Sequence, residues 1–439
     1  MCALTLTLLL AISSNSVAWK STSALRQSVH FLYHQNIKRI APSRLQRQRP
    51  PQLADGDGEK GIILCLHDGI VSMGASLIRE LRCLGNTDVI QVYHCFPDEL
   101  SPASQELLTR HDDKVEIVDA CSDLLDSDTV FRGNRVLATT FGSYWLKPLA
   151  LYHTRLKEVI LLDADVILLR DPATLRNTST GYNSTGTVFF HDRIHFMRKF
   201  LNAELETGQQ LLQHMLRTFD YGRFNLTAPA SPSDFMLQSY AYRQESGHEM
   251  DSSMVFVNKQ RAGRAMEILL YLILEVRFTL AFSWGDKEAF WLAYELAQQD
   301  YFFSPFGLSL IDSVPNKDLT EHRDTLCGSM AHYVPTEDPT EASELLYVNG
   351  KALLDPFAVG IDNLGTVGRS RLFNPNPTHV TPRYLYSDFD LASRETFECM
   401  DNLGATPLPE AFRTHLLRRR HHFFAAEMGV LDALDRCDV

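Results

Sequence analysis

The apolar run Val159-Ile160-Leu161-Leu162 passes without a break into Asp163-Ala164-Asp165, and few folds can accommodate that junction. A short continuous apolar run reads as a strand covered on both faces, as in a parallel sheet packed between helices. In open α/β sheets the carboxyl ends of such strands border a crevice where ligands bind. Two carboxylates there are costly unless something cationic neutralises them. A hard divalent ion, shared between carboxylate oxygens and ligand phosphates, meets that need. A D-x-D spacing by itself is common in loops; its place at the end of a buried strand makes it specific.

The surrounding pattern agrees with a parallel sheet. Gly61 to Leu66 is a second continuous apolar run, followed by helical spacing of Leu77, Ile78 and Leu81 and by a strand at Val89 to His94. Val115 to Val118 reads as a further strand, and the strand–helix–strand order predicts βαβ units. A helix from near Ser143 to Thr154 precedes the acidic junction. After it come a strand at Ser253 to Val257, an apolar helix from Gly263 to about Phe278, and a helix from Asp286 to Gln299. Beyond Phe306 the pattern loosens, and residues 391–436 suggest two short helices. The cluster Arg418-Arg419-Arg420-His421-His422 reads as a solvated helix face.

Length and charge narrow the classes. The chain has 439 residues, which suits one large α/β domain with additions, or two domains. Of its 42 basic residues, seven precede the first acidic residue, Asp55; the other 35 face 54 acidic residues. So acidic a body is not expected to bind nucleic acid, which needs clustered cations. A phosphorylated ligand would need a divalent ion or a local basic pocket.

Cys2 to Ile12 is a short apolar run ending near Ser16-Val17-Ala18, which reads as a secretory signal; an uncleaved membrane anchor is the alternative if the true start lies upstream. Residues 1–18 are expected to be this signal or anchor, 19–59 a basic Pro/Gln-rich stem, 60–355 the catalytic domain and 356–439 a C-terminal extension. Asn177-Thr178-Ser179, Asn183-Ser184-Thr185 and Asn225-Leu226-Thr227 are N-glycosylation acceptors. The eight cysteines include no CxxC pair, which argues against structural zinc. Cys65 is expected to be a free core thiol; the pairing of the others is not legible.

A metal-bridged diphosphate is a good leaving group for glycosyl transfer, because a divalent ion offsets the charge that builds on it. Several ordered blocks then carry a family resemblance. Gly61 to Leu66 with Ile78-Arg79-Glu80-Leu81-Arg82 comes first. Leu146-Lys147-Pro148-Leu149-Ala150-Leu151, Lys157 to Asp165 and Leu169-Arg170-Asp171-Pro172 follow. Gly186 to Arg193 and Gly285-Asp286-Lys287-Glu288-Ala289-Phe290-Trp291 close the series. Together they resemble the Golgi α-1,3-mannosyltransferase family, the MNN-type mannosyltransferases.

The resemblance implies a GT-A type nucleotide-diphospho-sugar transferase fold, with a mostly parallel central sheet flanked by helices and an irregular, partly helical C-terminal extension. It implies a GDP-mannose donor, Mn²⁺ or another divalent cation, a glycan or glycoprotein acceptor, a place in the Golgi lumen, and retention of the anomeric configuration. Asp163 and Asp165 would bind the metal, with His332 as a third ligand. Lys147 would reach the donor phosphates. Leu66 and His67 would lie near the nucleotide, and Asp192, Arg193 and Ser253 near the sugar. Leu345 to Lys351 resembles a family stretch near the donor. Asp286, Glu288 and Asp251 are the catalytic candidates, although Asp286 and Glu288 also suit a helix cap and its dipole. Retention needs a carboxylate nucleophile or front-face attack within an ion pair. No carboxylate stands out as nucleophile, so front-face departure is the expectation, with a diphosphate oxygen taking the acceptor proton.

Three alternatives compete. A UDP-sugar-dependent, glycogenin-like enzyme shares the fold and the lysine–helix–strand–DxD order. A glycan-binding relative without catalysis would not need the intact acid pair. A glycoside hydrolase uses paired carboxylates but needs no DxD at a strand end.

Overall fold

The computed structural model describes residues 60–313, 325–336, 342, 344–355, 376–389, 391 and 399–438. The expected signal and stem, 1–18 and 19–59, lie outside the described residues. So does much of 356–439.

The main sheet has six strands: β1 (Lys60–Cys65), β2 (Val89–His94), β3 (Val115–Asp119), β4 (Glu158–Leu162), β6 (Thr187–His191) and β7 (Met250–Asn258). Their order is β3-β2-β1-β4-β7-β6. The first four run parallel. Strand β7 is antiparallel to both β4 and β6, so only β7 opposes the rest. This is the mostly parallel α/β sheet that the sequence predicts. A second, antiparallel sheet has the order β5-β11-β10-β8, from β5 (Val166–Leu168), β8 (Ser309–Leu310), β10 (Met330–Tyr333) and β11 (Leu345–Asn349). Strand β9 (Leu326–Cys327) pairs with Cys399–Met400.

Strand β4 shows why the sheet is dry on both faces. Its side chains alternate. Val159 and Leu161 enter one core with Leu149, Phe290 and Trp291; Ile160 and Leu162 enter the other with Leu77, Phe412 and Leu416. The first core is covered by α2 (Leu146–His153), α3 (Ala265–Leu274) and α4 (Lys287–Ala297). The second is covered by α1 (Val71–Cys83) and α5 (Glu410–Glu427). Among the described residues no helix is long and apolar enough to cross a membrane.

Two expectations change at the C-terminal end. Among the described residues of 391–436 there are two helices, as expected, but the first, α5, is long at 18 residues and only the second, Leu431–Leu434, is short. The basic cluster on α5 is not a solvated face: Arg418, Arg419 and His422 are buried. Arg418 meets Glu80 of α1 through two hydrogen bonds, 2.6 and 2.7 Å, and His415 Nδ1 lies 2.9 Å from the same carboxylate. A buried acid on α1 thus demands the cations of α5.

Among the described residues there are three disulfides: Cys83–Cys437, Cys95–Cys121 and Cys327–Cys399. The first joins the end of α1 to the segment after α5. Such links stabilise by about 2–4 kcal/mol each, chiefly by restricting the unfolded chain. Cys65 is free, as expected.

Candidate active site

The site grows from the end of β4. The Asp163 amide donates to the Ser253 carbonyl at 2.9 Å, extending the β4–β7 ladder by one residue. Alternation then turns Asp163 to the face of Val159 and Leu161, where α2 and α4 lie. Lys147, in the first turn of α2, donates from Nζ to Asp163 Oδ1 at 2.8 Å. Its other bonds go to the carbonyl and hydroxyl of Ser252, at 3.2 and 3.1 Å. Asp286 Oδ2 lies 3.2 Å from the same ammonium, without a well-aligned hydrogen bond. Asp286 precedes α4. It follows Gly285, whose φ of +75° suits a residue without a side chain.

The charges here depend on one another. Burial opposes the Lys147 ammonium, but the carboxylates of Asp163 and Asp286 outweigh it and hold its pKa well above the ordinary lysine value. Burial pushes the Asp286 carboxyl up, and Lys147 offsets part of that. Asp165 is pushed up to about 6, first by burial and then by the neighbouring charge of Asp163. One lysine thus serves three carboxylates, and only Asp163 receives a short hydrogen bond from it. The Asp163 side chain stays 30% exposed, whereas that of Lys147 is 7% exposed.

Lys147 therefore spends its N–H groups inside the protein. It is a strut between α2, β4 and β7 rather than a side chain open to donor phosphates. Leu66 and His67 sit at the carboxyl end of β1, next to β4. Leu66 is buried, and His67 is exposed with Nδ1 accepting from the Gly69 amide at 3.1 Å.

A second cluster forms at the start of β7. His332 Nε2, on β10, lies 2.9 Å from Asp251 Oδ2. Ser253 donates to Asp251 from its amide at 3.0 Å and from its hydroxyl at 2.6 Å. The Tyr347 hydroxyl lies 3.1 Å from Ser253 Oγ, and its ring stacks on His332 at 4.8 Å. Burial would raise the Asp251 carboxyl, but His332 and Ser253 hold it well below the carboxylate range. The structure thus places His332 on Asp251. Among the described residues no three His, Cys, Asp or Glu side chains form a group that could hold a metal ion.

The other expected residues are also locked. Glu288 is fully buried and accepts from the Trp291 indole at 2.6 Å and from the Glu249 amide at 3.2 Å. Asp192 is buried in an ion pair with Lys287. The amide of Arg193 donates to Asp192 Oδ1 at 2.7 Å, and its guanidinium donates to the Gly328 carbonyl at 3.0 Å. The structure therefore brings together Lys147, Asp163, Asp165 and Asp286, with Ser252 and Ser253 from β7. It assigns Asp251, Glu288 and His332 to buried hydrogen-bond networks.

Sequence reasoning assigned no partner to Ser252 or Tyr347, although Leu345 to Lys351 was singled out. That stretch forms β11, antiparallel to β5, and the Gly350 amide donates to the Asp165 carbonyl at 3.0 Å. Ser252 carries no local signal, since its bond to Lys147 spans 105 residues.

The acid pair fits a hard cation. Asp163 and Asp165 offer only carboxylate oxygens, the donors that magnesium or manganese prefer over zinc. Burial and mutual repulsion leave Asp165 reluctant to ionise, which a divalent charge would relieve.

Comparison with known proteins adds a separate line. Residues 59–333 match the family described as "Mannosyltransferase putative". "Probable alpha-1,3-mannosyltransferase MNT4" of Saccharomyces cerevisiae is 24% identical over 312 residues, covering 66% of this chain and 49% of the yeast protein. "Alpha-1,3-mannosyltransferase MNN1" of the same yeast is 25% identical over 323 residues, covering 66% and 40%. The chain thus spans about half, or less, of the length of these curated relatives. Among solved structures, the WbbM bifunctional glycosyltransferase is 12% identical with a TM-score of 0.34, covering 58% of this chain and 40% of that one. The match to the family spans more than half of the chain and includes every strand of the main sheet, so this protein belongs to that mannosyltransferase family.

Proposed function

We propose that this chain is a metal-dependent retaining glycosyltransferase that moves an α-mannosyl group, in α-1,3 linkage, from GDP-mannose to a glycan on glycoproteins. The observation that carries the proposal is the pair Asp163 and Asp165 at the carboxyl end of β4, linked through Lys147 to Asp286. Family membership supports mannose as the sugar, and the names of the curated relatives support the α-1,3 linkage.

In this reading Asp163 and Asp165 hold the divalent ion. When bound, the ion supplies Lewis-acid stabilisation of charge on the departing diphosphate. Lys147 sets a positive charge beside Asp163 and Asp286 and fixes the angle of Asp163. Asp286 Oδ2, which lacks an aligned partner, orients a sugar hydroxyl. Asp251 and Glu288 are saturated by neighbours and do not act as nucleophiles. This favours front-face departure, with the acceptor proton passing to a diphosphate oxygen.

The compartment is proposed to be the Golgi lumen. Three disulfides favour an oxidising environment. Asn177, Asn183 and Asn225, in the acceptor triplets, are all exposed.

A donor screen tests the proposal. GDP-mannose and the UDP-sugars are compared by released nucleotide, with and without Mn²⁺. GDP release that needs the cation is expected. UDP release alone would move the assignment to the glycogenin-like alternative. No release from any donor would favour a binding protein or hydrolase, and full activity in a strong chelator would reject the metal.

A further inference from the structure

Behind the Asp163–Asp165 turn lies a cation that the site itself does not use. Arg419 of α5 is completely buried. Its guanidinium donates to three backbone carbonyls: Ala164 at 2.7 Å, Met73 at 3.2 Å and Val166 at 3.3 Å. Ala164 and Val166 are the two neighbours of Asp165. The Asp165 carbonyl is in turn held by the Gly350 amide at 3.0 Å. Three successive carbonyls of the turn are thus pinned from α5 and from the start of the helix after β11.

The residue type is telling. Phe412, Leu416, Phe423 and Ala426 form the buried stripe of α5, and Arg419 occupies the central place of that stripe. Leucine there would pack without the cost of burying a charge. Arginine instead offers a rigid planar fork that can bind several carbonyls at once. Burial lowers its pKa to about 10, so it stays a cation at neutral pH, and the charges of Glu80 and Asp165 lie near it. Its helix is fixed in turn. Ser76 Oγ donates to the Arg419 carbonyl at 2.6 Å, and Cys437 is bonded to Cys83.

We propose that Arg419 is a positioning residue for the transfer reaction: it holds the Asp163–Asp165 turn from behind, so that both carboxylates face the donor. This rests on the function proposed above. It brings into the site a segment beyond residue 333, where the family match ends.

The test compares R419M, R419K and the control R418M in the full-length protein. Amide hydrogen exchange is followed in peptides covering residues 160–170, and turnover is measured with GDP-mannose and Mn²⁺ well below the melting temperature. R419M is expected to speed exchange in the turn at least about tenfold. Its kcat should fall by about 10–100-fold with acceptor KM nearly unchanged, the size of effect that a misplacement of about 1 Å produces. R419K keeps the charge but not the fork, and should lie between R419M and wild type. R418M leaves Glu80 without its main partner; it should lower the melting temperature and keep the wild-type kcat.

Unchanged exchange in R419M would overturn the proposal. So would faster exchange with wild-type kcat, or a kcat in R418M as low as that of R419M. A wild type that transfers from no donor counts against the proposed function, while the exchange measurement still reads Arg419 directly.

Discussion

Two groups of carboxylates stand at the same edge of the sheet and differ in how fully they are satisfied. At the start of β7, Asp251 receives hydrogen bonds from Ser253 and His332, and its charge is settled within the protein. At the end of β4, Asp163 and Asp286 share one lysine, Asp165 has no ion pair of its own among the described contacts, and Asp286 Oδ2 has no aligned hydrogen bond. Both groups are acidic, near one another in the fold, and built on β7 or its neighbour. Burial of acids therefore does not mark a reacting centre; an unmet need for positive charge does. The first group reads as a joint between the two sheets, the second as the place where the proposed cation and donor would sit.

The strongest way to break this contrast is to remove the underserved acids. Asp163→Ala and Asp165→Ala should each reduce kcat by about a thousandfold or more while far-ultraviolet circular dichroism stays native. Activity near wild type in both variants would erase the distinction. Next comes the shared cation. Lys147→Met leaves Asp163 and Asp286 uncompensated, and breaking such a buried pair costs about 3–5 kcal/mol. Urea unfolding should show that loss, together with a large fall in kcat.

Asp251→Asn sharpens the comparison from the other side. It should lower stability, by about 1–3 kcal/mol for a weakened buried network, and alter kcat far less than Asp163→Ala. Mass spectrometry of the wild type during turnover should detect no mannosyl adduct on Asp251; an adduct there would make the saturated cluster catalytic.

The smallest effect concerns Glu249, two residues before Asp251. Burial, with the charge of Glu288 adding to it, pushes this carboxyl up to about 8. An unfolded chain releases the proton near pH 4.3. Between about pH 4.3 and 8 the folded state holds more protons, so this group subtracts stability as pH rises and subtracts no more above about 8. Glu249→Gln should remove that slope. Its melting temperature should exceed wild type by several degrees at pH 8 and match it near pH 4.5.

The end of β4 was legible because the signal is local: four apolar residues followed at once by two acids. The parallel sheet was legible for the same reason, from the apolar runs at Gly61 and Val89. The partners of those acids were less so. Lys147 was found through the resemblance, but its bonds to Ser252 and Asp286 depend on where α2 meets β7 and α4. His332 was read as a ligand, while its partner Asp251 is 81 residues away. Arg419 was read as solvated because charge normally is. The one available signal was its place in line with Phe412, Leu416, Phe423 and Ala426, spaced by fours and threes along a helix.

The contact of Arg419 with Ala164 bridges 255 residues. At synthesis rates of about 5–20 residues per second, the arginine leaves the ribosome roughly 10–50 s after the turn it supports. Most of the β-sheet can form in that interval, but the acid pair gains its backing only when the last long helix docks. The backing of the acid pair is thus acquired after most of the sheet, and oxidation of Cys83 with Cys437 seals it.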